Sequence, residues 1–243
     1  MQKISALPVN DISVIIPTYQ HAATIGACIR SLLSQTEQPS QIIVVDDGST
    51  DSTRELVRTF GEQVSYVYQA NQGAPNARNA GAALATGAFL LFCDADVIAE
   101  PEMLKRLRET LTAHPEASYA YSGFRWGTRR FRARPFDPEA LRKNNYIHSA
   151  SLIRSSDFHG FDPTLKRFQD WDVWLTMLER GQHGVAIDAD LFQIQHVPGR
   201  QGISAWLPSI AYRLPWRLIG WKPKALRAYE AAREVIVKKH SLS

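Results

Sequence analysis

Short apolar runs alternate with stretches of helical periodicity through the first part of the chain. The apolar runs are ISVIIP, QIIVVDD, VSYVYQ and AFLLFC, and segments such as TIGACIRSLLSQ and APNARNAGAALATG lie between them. Apolar runs of this length predict buried strands, and strands that alternate with helices predict a parallel sheet covered on both faces. We therefore predict an α/β fold that binds its ligands at the carboxyl ends of the strands.

Polar residues follow three of these runs at the point where each predicted strand ends. They read PTYQ, DDGSTDS and DAD, and the last of these places Asp94 and Asp96 one residue apart. Two carboxylates this close repel each other, which raises the pKa of one of them unless a positive group lies between them. Asp oxygens are hard ligands that suit Mg²⁺ or Mn²⁺, and such ions also bind substrate phosphates. The pair therefore predicts a metal-assisted phosphate site.

Other phosphate-binding plans fit these residues less well. A dinucleotide fold needs glycines directly after the first strand, and PTYQHAATIG has no glycine cluster. A P-loop needs Gly-Lys followed by Ser or Thr, and the chain has no Gly-Lys pair. A phosphatase with an aspartyl nucleophile remains an alternative. Its Asp-x-Asp motif usually opens the domain, however, whereas here three strand–helix units precede it.

The composition is that of an ordinary globular protein, since 44% of the 243 residues are hydrophobic and 21% are charged. Cys28 and Cys93 are the only cysteines, so we expect a reducing compartment. The first residues lack the apolar stretch of a signal peptide, and no run approaches the roughly 20 apolar residues of a membrane helix. We expect a cytoplasmic protein without a nucleic-acid partner.

Positive charge is concentrated in the last part of the chain. The net charge is +4, but the segment from Arg200 onward carries nine Lys+Arg and two Asp+Glu. Trp206, Trp216 and Trp221 alternate with basic residues there, which suits a peripheral contact with the inner face of a membrane. The same pattern equally suits a helix packed on the rest of the chain, or a contact between two copies.

Longer motifs carry a family resemblance. SVIIPTYQ, IIVVDDGSTDST, NQGAPNARNAGAALATGAFLLFCDADV, GFDPTLKRFQDWDVWLTMLERG and IQHVPGRQGIS occur in this order. Together, from about Ser13 to Ser204, they resemble the family 2 glycosyltransferases, which have the GT-A fold. The resemblance implies a GT-A domain over residues 1–204, made of a nucleotide-sugar-binding half (10–123) and an acceptor and catalytic half (124–204), followed by a basic helical tail (205–243).

The resemblance also implies which residues contact the nucleotide. Asp47 would accept a hydrogen bond from the base, expected to be uracil, although an Asp at this point also fits a turn and helix cap. Arg78 would lie near the nucleotide, although it also fits a surface position on a helix of small residues. The complete set is Pro17, Thr18, Tyr19, Asp47, Arg78 and Asp94.

The implied metal ligands follow the fourth and the last predicted strand. Asp96 would be the main ligand of Mg²⁺ or Mn²⁺, and Asp94 would bind the ribose or help to hold the metal. His196, which follows a predicted edge strand, would be a further ligand, although a single His is more often structural.

The segment RFQDWDVWLTMLERG predicts a helix whose apolar face contains Trp171, Trp174, Leu175 and Leu178. Asp170 lies in its first turn, where the helix dipole favours negative charge and where Asp is often a cap. The resemblance instead implies that Asp170 is the general base that takes the proton from the acceptor hydroxyl.

Two positions depart from the family pattern. Gln169 stands where the family has the Glu before its catalytic Asp, and Gln20 stands where the first motif usually has Asn. These departures support a non-catalytic binder of nucleotide sugars as an alternative to the enzyme. Asp172 is the main rival of Asp170 for the role of base.

The resemblance implies transfer of a single sugar, with inversion, from a nucleoside diphosphate sugar to a saccharide or lipid-linked saccharide acceptor. Bacterial surface polysaccharide or glycoconjugate synthesis would be the setting. The Gln-x-x-Arg-Trp motif of processive synthases does not occur. Five arginines between Arg125 and Arg134 predict an exposed hairpin, and contact with a phosphate-rich acceptor or an anionic membrane is the alternative.

Overall fold

A computed structural model describes residues 11–195 and 223–242. The strands are β1 (Ile12–Thr18), β2 (Gln41–Asp46), β3 (Ser65–Tyr68), β4 (Phe89–Phe92), β5 (Val97–Ala99), β6 (Tyr119–Trp126), β7 (Arg129–Phe131), β8 (Leu152–Arg154) and β9 (Gly184–Ile194). The helices are α1 (Ile25–Leu33), α2 (Thr53–Arg58), α3 (Ala74–Leu84), α4 (Met103–Ala113), α5 (Pro138–Lys143), α6 (Gln169–Glu179) and α7 (Lys224–Lys239). One sheet has the order β3-β2-β1-β4-β8-β6-β9-β5, with β7 paired to β6.

The first four strands form the parallel part of the sheet. They lie in the order β3-β2-β1-β4, and every residue of β1 and β4 is buried. Strands covered on both faces read as continuous apolar runs, which is the pattern of their sequences. Thr18 is paired with Asp46, so the carboxyl ends of β1 and β2 lie side by side. The predicted α/β class is confirmed.

Helix α3 packs closely on this part of the sheet because its residues are small. A Cβ atom at Gly81 would lie 2.3 Å from Cγ2 of Ile15, so a larger residue would push the helix away from β1. Ala77 and Arg78, on the same helix, are buried as well. The close packing brings the Arg78 side chain to the end of β4.

The second half of the sheet mixes parallel and antiparallel pairs. β8 lies antiparallel to β4, and β9 lies between β6 and β5. The prediction that the strand before His196 is an edge strand is therefore wrong. β5 covers the outer side of β9, but its three residues, Val97–Ala99, are too short to produce a recognisable pattern.

The arginine-rich segment forms the hairpin of β6 and β7, as predicted. Arg125 and Arg130 both form ion pairs with the buried carboxylate of Asp190. Arg134 forms an ion pair with Asp137 at 3.6 Å. All five arginines of the segment are exposed, so the hairpin keeps a net positive surface.

Helix α6 is anchored through its two tryptophans. Trp171 donates from Nε1 to the carbonyl oxygen of Leu141 at 2.7 Å, and Trp174 donates to that of Ile147 at 3.0 Å. Both rings are buried, which confirms the predicted apolar face. Leu141 belongs to α5, which the sequence analysis missed, although Asp137 caps it and a proline follows.

Helix α7 packs on α6. Ile236 is fully buried in the cluster that contains Trp171, and the ring of Tyr229 lies 5.2 Å from that of Phe168. Among the residues described here, no helix is long and apolar enough to cross a membrane. Trp206, Trp216 and Trp221 of the predicted tail lie outside the described residues.

The end of α7 is held by charges on α6. Asp172, which is 2% exposed, contacts Nε2 of His240 at 2.8 Å and Nζ of Lys239 at 2.7 Å. Nδ1 of His240 contacts Glu179 at 2.8 Å. The carboxylate of Asp172 therefore binds the end of α7.

This contact makes the stability of the fold depend on pH. Burial alone lowers the pKa of His240, but hydrogen bonds to Asp172 and Glu179 outweigh burial and raise it above 6.5. Such a group stabilises the fold fully below its unfolded pKa and loses this effect as pH rises through its folded pKa. In thermal unfolding experiments, we therefore expect the melting temperature to fall as the pH rises from about 6.5 through the raised pKa of His240. His240→Gln should abolish the fall, and an unchanged slope in this variant would contradict the prediction.

Candidate active site

The carboxyl ends of β1 and β2 form one side of the candidate site, at the edge of the sheet where a crevice for ligands was predicted. Pro17 and Thr18 are buried at the end of β1, whereas Tyr19 is 45% exposed. The backbone N–H of Asp47 donates to the carbonyl of Thr18 at 2.8 Å, which ties the two strand ends together. Oγ1 of Thr18 is buried and has no hydrogen-bond partner among the described residues.

Asp46 and Asp47 organise different loops. Asp46 accepts from the backbone N–H of Ser49 at 2.8 Å and from the hydroxyl of Tyr66 at 2.6 Å, so it stabilises the turn that follows β2. Asp47 accepts from the side chain of Gln69 and from the backbone of Gln72 and Gly73 at 2.7 to 2.8 Å. Three of its roughly four acceptor positions are therefore used, and about one is left for a ligand.

Gln20 connects the loop after β1 to the loop after β2. Its backbone N–H donates to Oγ of Ser49 at 2.9 Å, and its side chain contacts Thr50 and Asp51. Its φ angle of 58° lies in the left-handed region, which Asn adopts more readily than most residues. Gln20 thus has a structural role in the loop, although it stands where the first motif usually has Asn.

Arg78 joins Asp94 to helix α6. Its guanidinium donates to Oδ1 of Asp94 and to Oε1 of Gln169, both at 2.7 Å. Arg78 is 9% exposed and lies over the ring of Phe161, so the alternative of a surface arginine is wrong. Burial alone would raise the pKa of Asp94, but the charge of Arg78 and its hydrogen bond to the carboxylate lower it. A positive group thus stabilises the charge of Asp94.

Asp170 lies in the first turn of α6, as predicted. Its Oδ2 accepts from Nδ2 of Asn145 at 2.8 Å, and its Oδ1 accepts from the backbone N–H of Trp171. Burial raises the pKa of the Asp170 carboxyl, although His148, Trp171 and Arg78 oppose the increase. A carboxylate with a raised pKa is a better proton acceptor than an ordinary Asp.

The segment 145–149 connects the two carboxylates. Asn145 binds Asp170, while the hydroxyl of Ser149 lies 3.4 Å from Oδ2 of Asp94. No role in the site was predicted for the side chains of this stretch. The run of polar residues in NNYIHSAS, directly before an apolar strand, was the signal available.

Asp96 lies two residues beyond Asp94, in the short connection between β4 and β5. The backbone N–H of Gln195, at the end of β9, donates to the carbonyl of Asp96 at 2.8 Å. His196, the next residue, lies outside the described part of the chain. Within the described residues, no group of three or more His, Cys, Asp or Glu side chains could hold a metal ion. A magnesium site in nucleotide enzymes needs only one or two carboxylates beside substrate phosphates, so Asp94 and Asp96 fit such an ion.

Both cysteines are buried next to Asp94, and Sγ of Cys28 lies 3.6 Å from the carbonyl oxygen of Asp94. The Sγ atoms of Cys28 and Cys93 are 3.8 Å apart, and both thiols are free and buried.

The chain belongs to glycosyl transferase family 2, since the model of that family matches residues 13–168. An uncharacterised glycosyltransferase of Nostoc is 43% identical over 102 residues, which are 40% of this chain and 32% of that protein. A PGL/p-HBAD biosynthesis glycosyltransferase of Mycobacterium tuberculosis is 34% identical over 176 residues, 66% of each chain. The matches thus span about a third and about two thirds of these relatives.

Solved structures show the same fold. S. aureus TarS 1–349, in complex with UDP-GlcNAc, matches with a TM-score of 0.67 and 22% identity over 81% of this chain and 62% of that one. Glucosyl-3-phosphoglycerate synthase of M. tuberculosis, in complex with Mn²⁺, UDP and phosphoglyceric acid, matches with a TM-score of 0.59 and 18% identity over 78% and 72%. The GT-A fold is confirmed.

Proposed function

We propose that the chain transfers a single sugar from a UDP-linked donor to an acceptor hydroxyl, with inversion at the anomeric carbon. The observation that carries this proposal is the connection of Asp94 to the first turn of α6, beside Asp170, through Arg78. A donor-side carboxylate and a basic carboxylate therefore share one crevice. UDP and UDP-GlcNAc in the two similar structures support the choice of nucleotide.

Asp170 is the proposed general base. It would take the proton from the acceptor hydroxyl while that oxygen attacks the anomeric carbon and the nucleoside diphosphate leaves. The hydrogen bond from Asn145 orients the carboxylate, and fixed orientation lowers the entropic part of the barrier. Asp172 is the less suitable candidate because Lys239 and His240 already bind it.

The proposed nucleotide site extends from β1 to α3. Pro17, Thr18 and Tyr19 would line it, Asp47 would accept from the base, and Asp94 would bind the ribose or help to hold the metal. Arg78 would lie near the diphosphate. Nε of Arg78 and Oγ1 of Thr18 are buried without hydrogen-bond partners among the described residues, and a buried polar atom in this state usually has a ligand or water as partner.

Asp96 would hold Mg²⁺ or Mn²⁺, with Asp94 beside it and His196 as a further proposed ligand. When bound, such an ion neutralises negative charge on the departing diphosphate. The structure of the M. tuberculosis synthase contains Mn²⁺, which supports a divalent ion here.

The acceptor is proposed to be a saccharide or a lipid-linked saccharide of bacterial surface polysaccharide or glycoconjugate synthesis. The exposed arginines of the β6–β7 hairpin suit a phosphate-bearing acceptor or an anionic membrane surface. Peripheral membrane contact through the basic tail (205–243) also belongs to this proposal.

Nucleotide binding tests the proposal. We expect UDP to bind more tightly than GDP, dTDP or CMP in calorimetry, to bind more tightly with Mn²⁺ than without it, and to lose the Mn²⁺ effect in Asp96→Ala. The reason is that Asp96 would supply the main protein ligand of an ion that neutralises the charge of the diphosphate.

The possible outcomes separate the alternatives. If another nucleotide binds most tightly, the donor is linked to that nucleotide and the proposal of a transferase stands. If a nucleotide binds but no sugar is transferred to any saccharide, the chain is the non-catalytic binder of nucleotide sugars. Failure of all four nucleotides to bind would overturn both proposals.

A further inference from the structure

The tautomer of His148 is fixed by the backbone. The N–H of Ala150 donates to Nδ1 of His148 at 3.0 Å. The lone pair of Nδ1 is therefore occupied, and the ring proton of the neutral imidazole lies on Nε2. Burial lowers the pKa of His148, although Asp94 and Asp170 oppose the decrease. His148 is therefore a neutral hydrogen-bond donor and cannot serve as the base while the Ala150 bond persists.

The imidazole ring is held between two aromatic residues. Its centroid lies 5.0 Å from that of Phe124 and 4.9 Å from that of Phe192. These contacts and the Ala150 bond together fix the ring orientation, so a group bound to Nε2 meets a donor that is already in place. His148 is nevertheless partly exposed, and Nε2 has no hydrogen-bond partner among the described residues.

The residues near His148 in the chain contact both carboxylates of the candidate site. Asn145 binds Asp170, and Ser149 contacts Asp94, so the segment that carries His148 extends from the proposed base to the donor-side carboxylate. In an in-line transfer the migrating sugar occupies the space between the attacking hydroxyl and the departing diphosphate. A donor on this segment is therefore placed beside that sugar.

We propose that Nε2–H of His148 donates a hydrogen bond to a hydroxyl of the transferred sugar and thereby selects which sugar is transferred. This inference rests on the proposed function, because it assumes a nucleotide-sugar donor. A site built to hydrogen-bond a hydroxyl discriminates against analogues that lack it, because the buried polar group would otherwise stay unpaired. His148 is thus assigned to sugar specificity, separate from the proton transfer assigned to Asp170.

Two variants separate the polar functions of the imidazole. His148→Asn keeps an oxygen that can accept from Ala150 but lacks the distal donor. His148→Gln, the matched control, keeps an N–H₂ group at about the distance of Nε2. Calorimetry with Mn²⁺ compares UDP with UDP-glucose, UDP-galactose, UDP-GlcNAc and UDP-GalNAc for the wild type and both variants.

We expect all three proteins to bind UDP equally, because UDP lacks the transferred sugar that His148 is proposed to contact. His148→Asn should bind the preferred UDP-sugar about tenfold more weakly than the wild type, the effect of one lost hydrogen bond. Its preference among the four sugars should shrink accordingly, and His148→Gln should recover most of the loss. The comparison with UDP distinguishes the loss of this contact from a general disturbance of the fold, because a disturbed fold would bind UDP more weakly as well.

Equal loss of UDP and UDP-sugar affinity in His148→Asn would overturn the inference, as would unchanged affinity for every UDP-sugar. If the wild type binds GDP, dTDP or CMP instead of UDP, the same comparison is made with sugars linked to that nucleotide. If it binds none of the four, the proposed function itself fails, and this inference fails with it.

Discussion

Asp170→Asn is expected to lower the turnover number for sugar transfer by about 10²- to 10⁴-fold, the usual contribution of a general base. The variant should bind UDP within about twofold of the wild-type affinity, because Asp170 is assigned to the acceptor side. Steady-state transfer assays and UDP calorimetry on the same preparations measure the two quantities. Asn keeps the shape of the side chain and an oxygen for Asn145, so the lost proton acceptor is the main change.

The pH profile gives a second measure of the same residue. Burial raises the pKa of Asp170 above the ordinary value of 3.8, and only the ionised carboxylate can accept a proton. Wild-type activity should therefore fall on the acid side at a higher pH than an ordinary Asp would give. The residual activity of Asp170→Asn should lack this limb.

Asp172→Asn is the matched control, since it makes the same chemical change two positions along α6. Asp172 binds Lys239 and His240, so this variant should lose thermal stability while its turnover per folded molecule stays near that of the wild type. If Asp172→Asn instead lost turnover at unchanged stability, and Asp170→Asn did not, Asp172 would be the base.

Arg78→Met is expected to reduce the free energy of unfolding by about 3 kcal/mol. The variant keeps the length of the side chain but leaves the Asp94 carboxylate without its partner at 2.7 Å. The side chain of Asp94 is 33% exposed, and water offsets part of the loss, which places the effect at the low end for a broken buried pair. Denaturant unfolding measures the change.

Arg78→Lys separates charge from geometry. Lys keeps the positive charge but cannot donate to Asp94 and Gln169 through a planar fork. Arg78→Lys should therefore recover part of the free energy of unfolding that Arg78→Met loses. It should recover a smaller part of the UDP affinity that Arg78→Met loses. Wild-type stability in Arg78→Met would show that the Asp94 contact contributes little.

The parallel half of the fold was predictable because each strand is buried on both faces. Sequences such as IIVV and FLLF then become continuous apolar runs that read directly as strands. β5 was missed because Val97–Ala99 holds only three residues. Without it, β9 was taken for an edge strand.

The acidic residues of the site were predictable because they occur in ordered motifs, at strand ends or in the first turn of a helix. Asn145, His148 and Ser149 were not, because they lie in a stretch without periodicity and owe their positions to tertiary contacts. One such contact is the bond from Trp174 to the carbonyl of Ile147. The role of Gln169 was hidden for a similar reason, since its partner Arg78 is 91 positions away.

The packing of α7 on α6 also has a consequence for the order of folding. The contact between Asp172 and His240 joins residues 68 positions apart, and contacts of such separation form late because they close a long loop. The pairing of β1 with β2 and of β2 with β3, by contrast, joins residues closer in the chain, such as Ser13 with Gln41 and Ile43 with Ser65. A folding chain should therefore form the strand ends that carry Asp47 before α7 closes on α6, so one side of the proposed donor site would exist before the fold is complete.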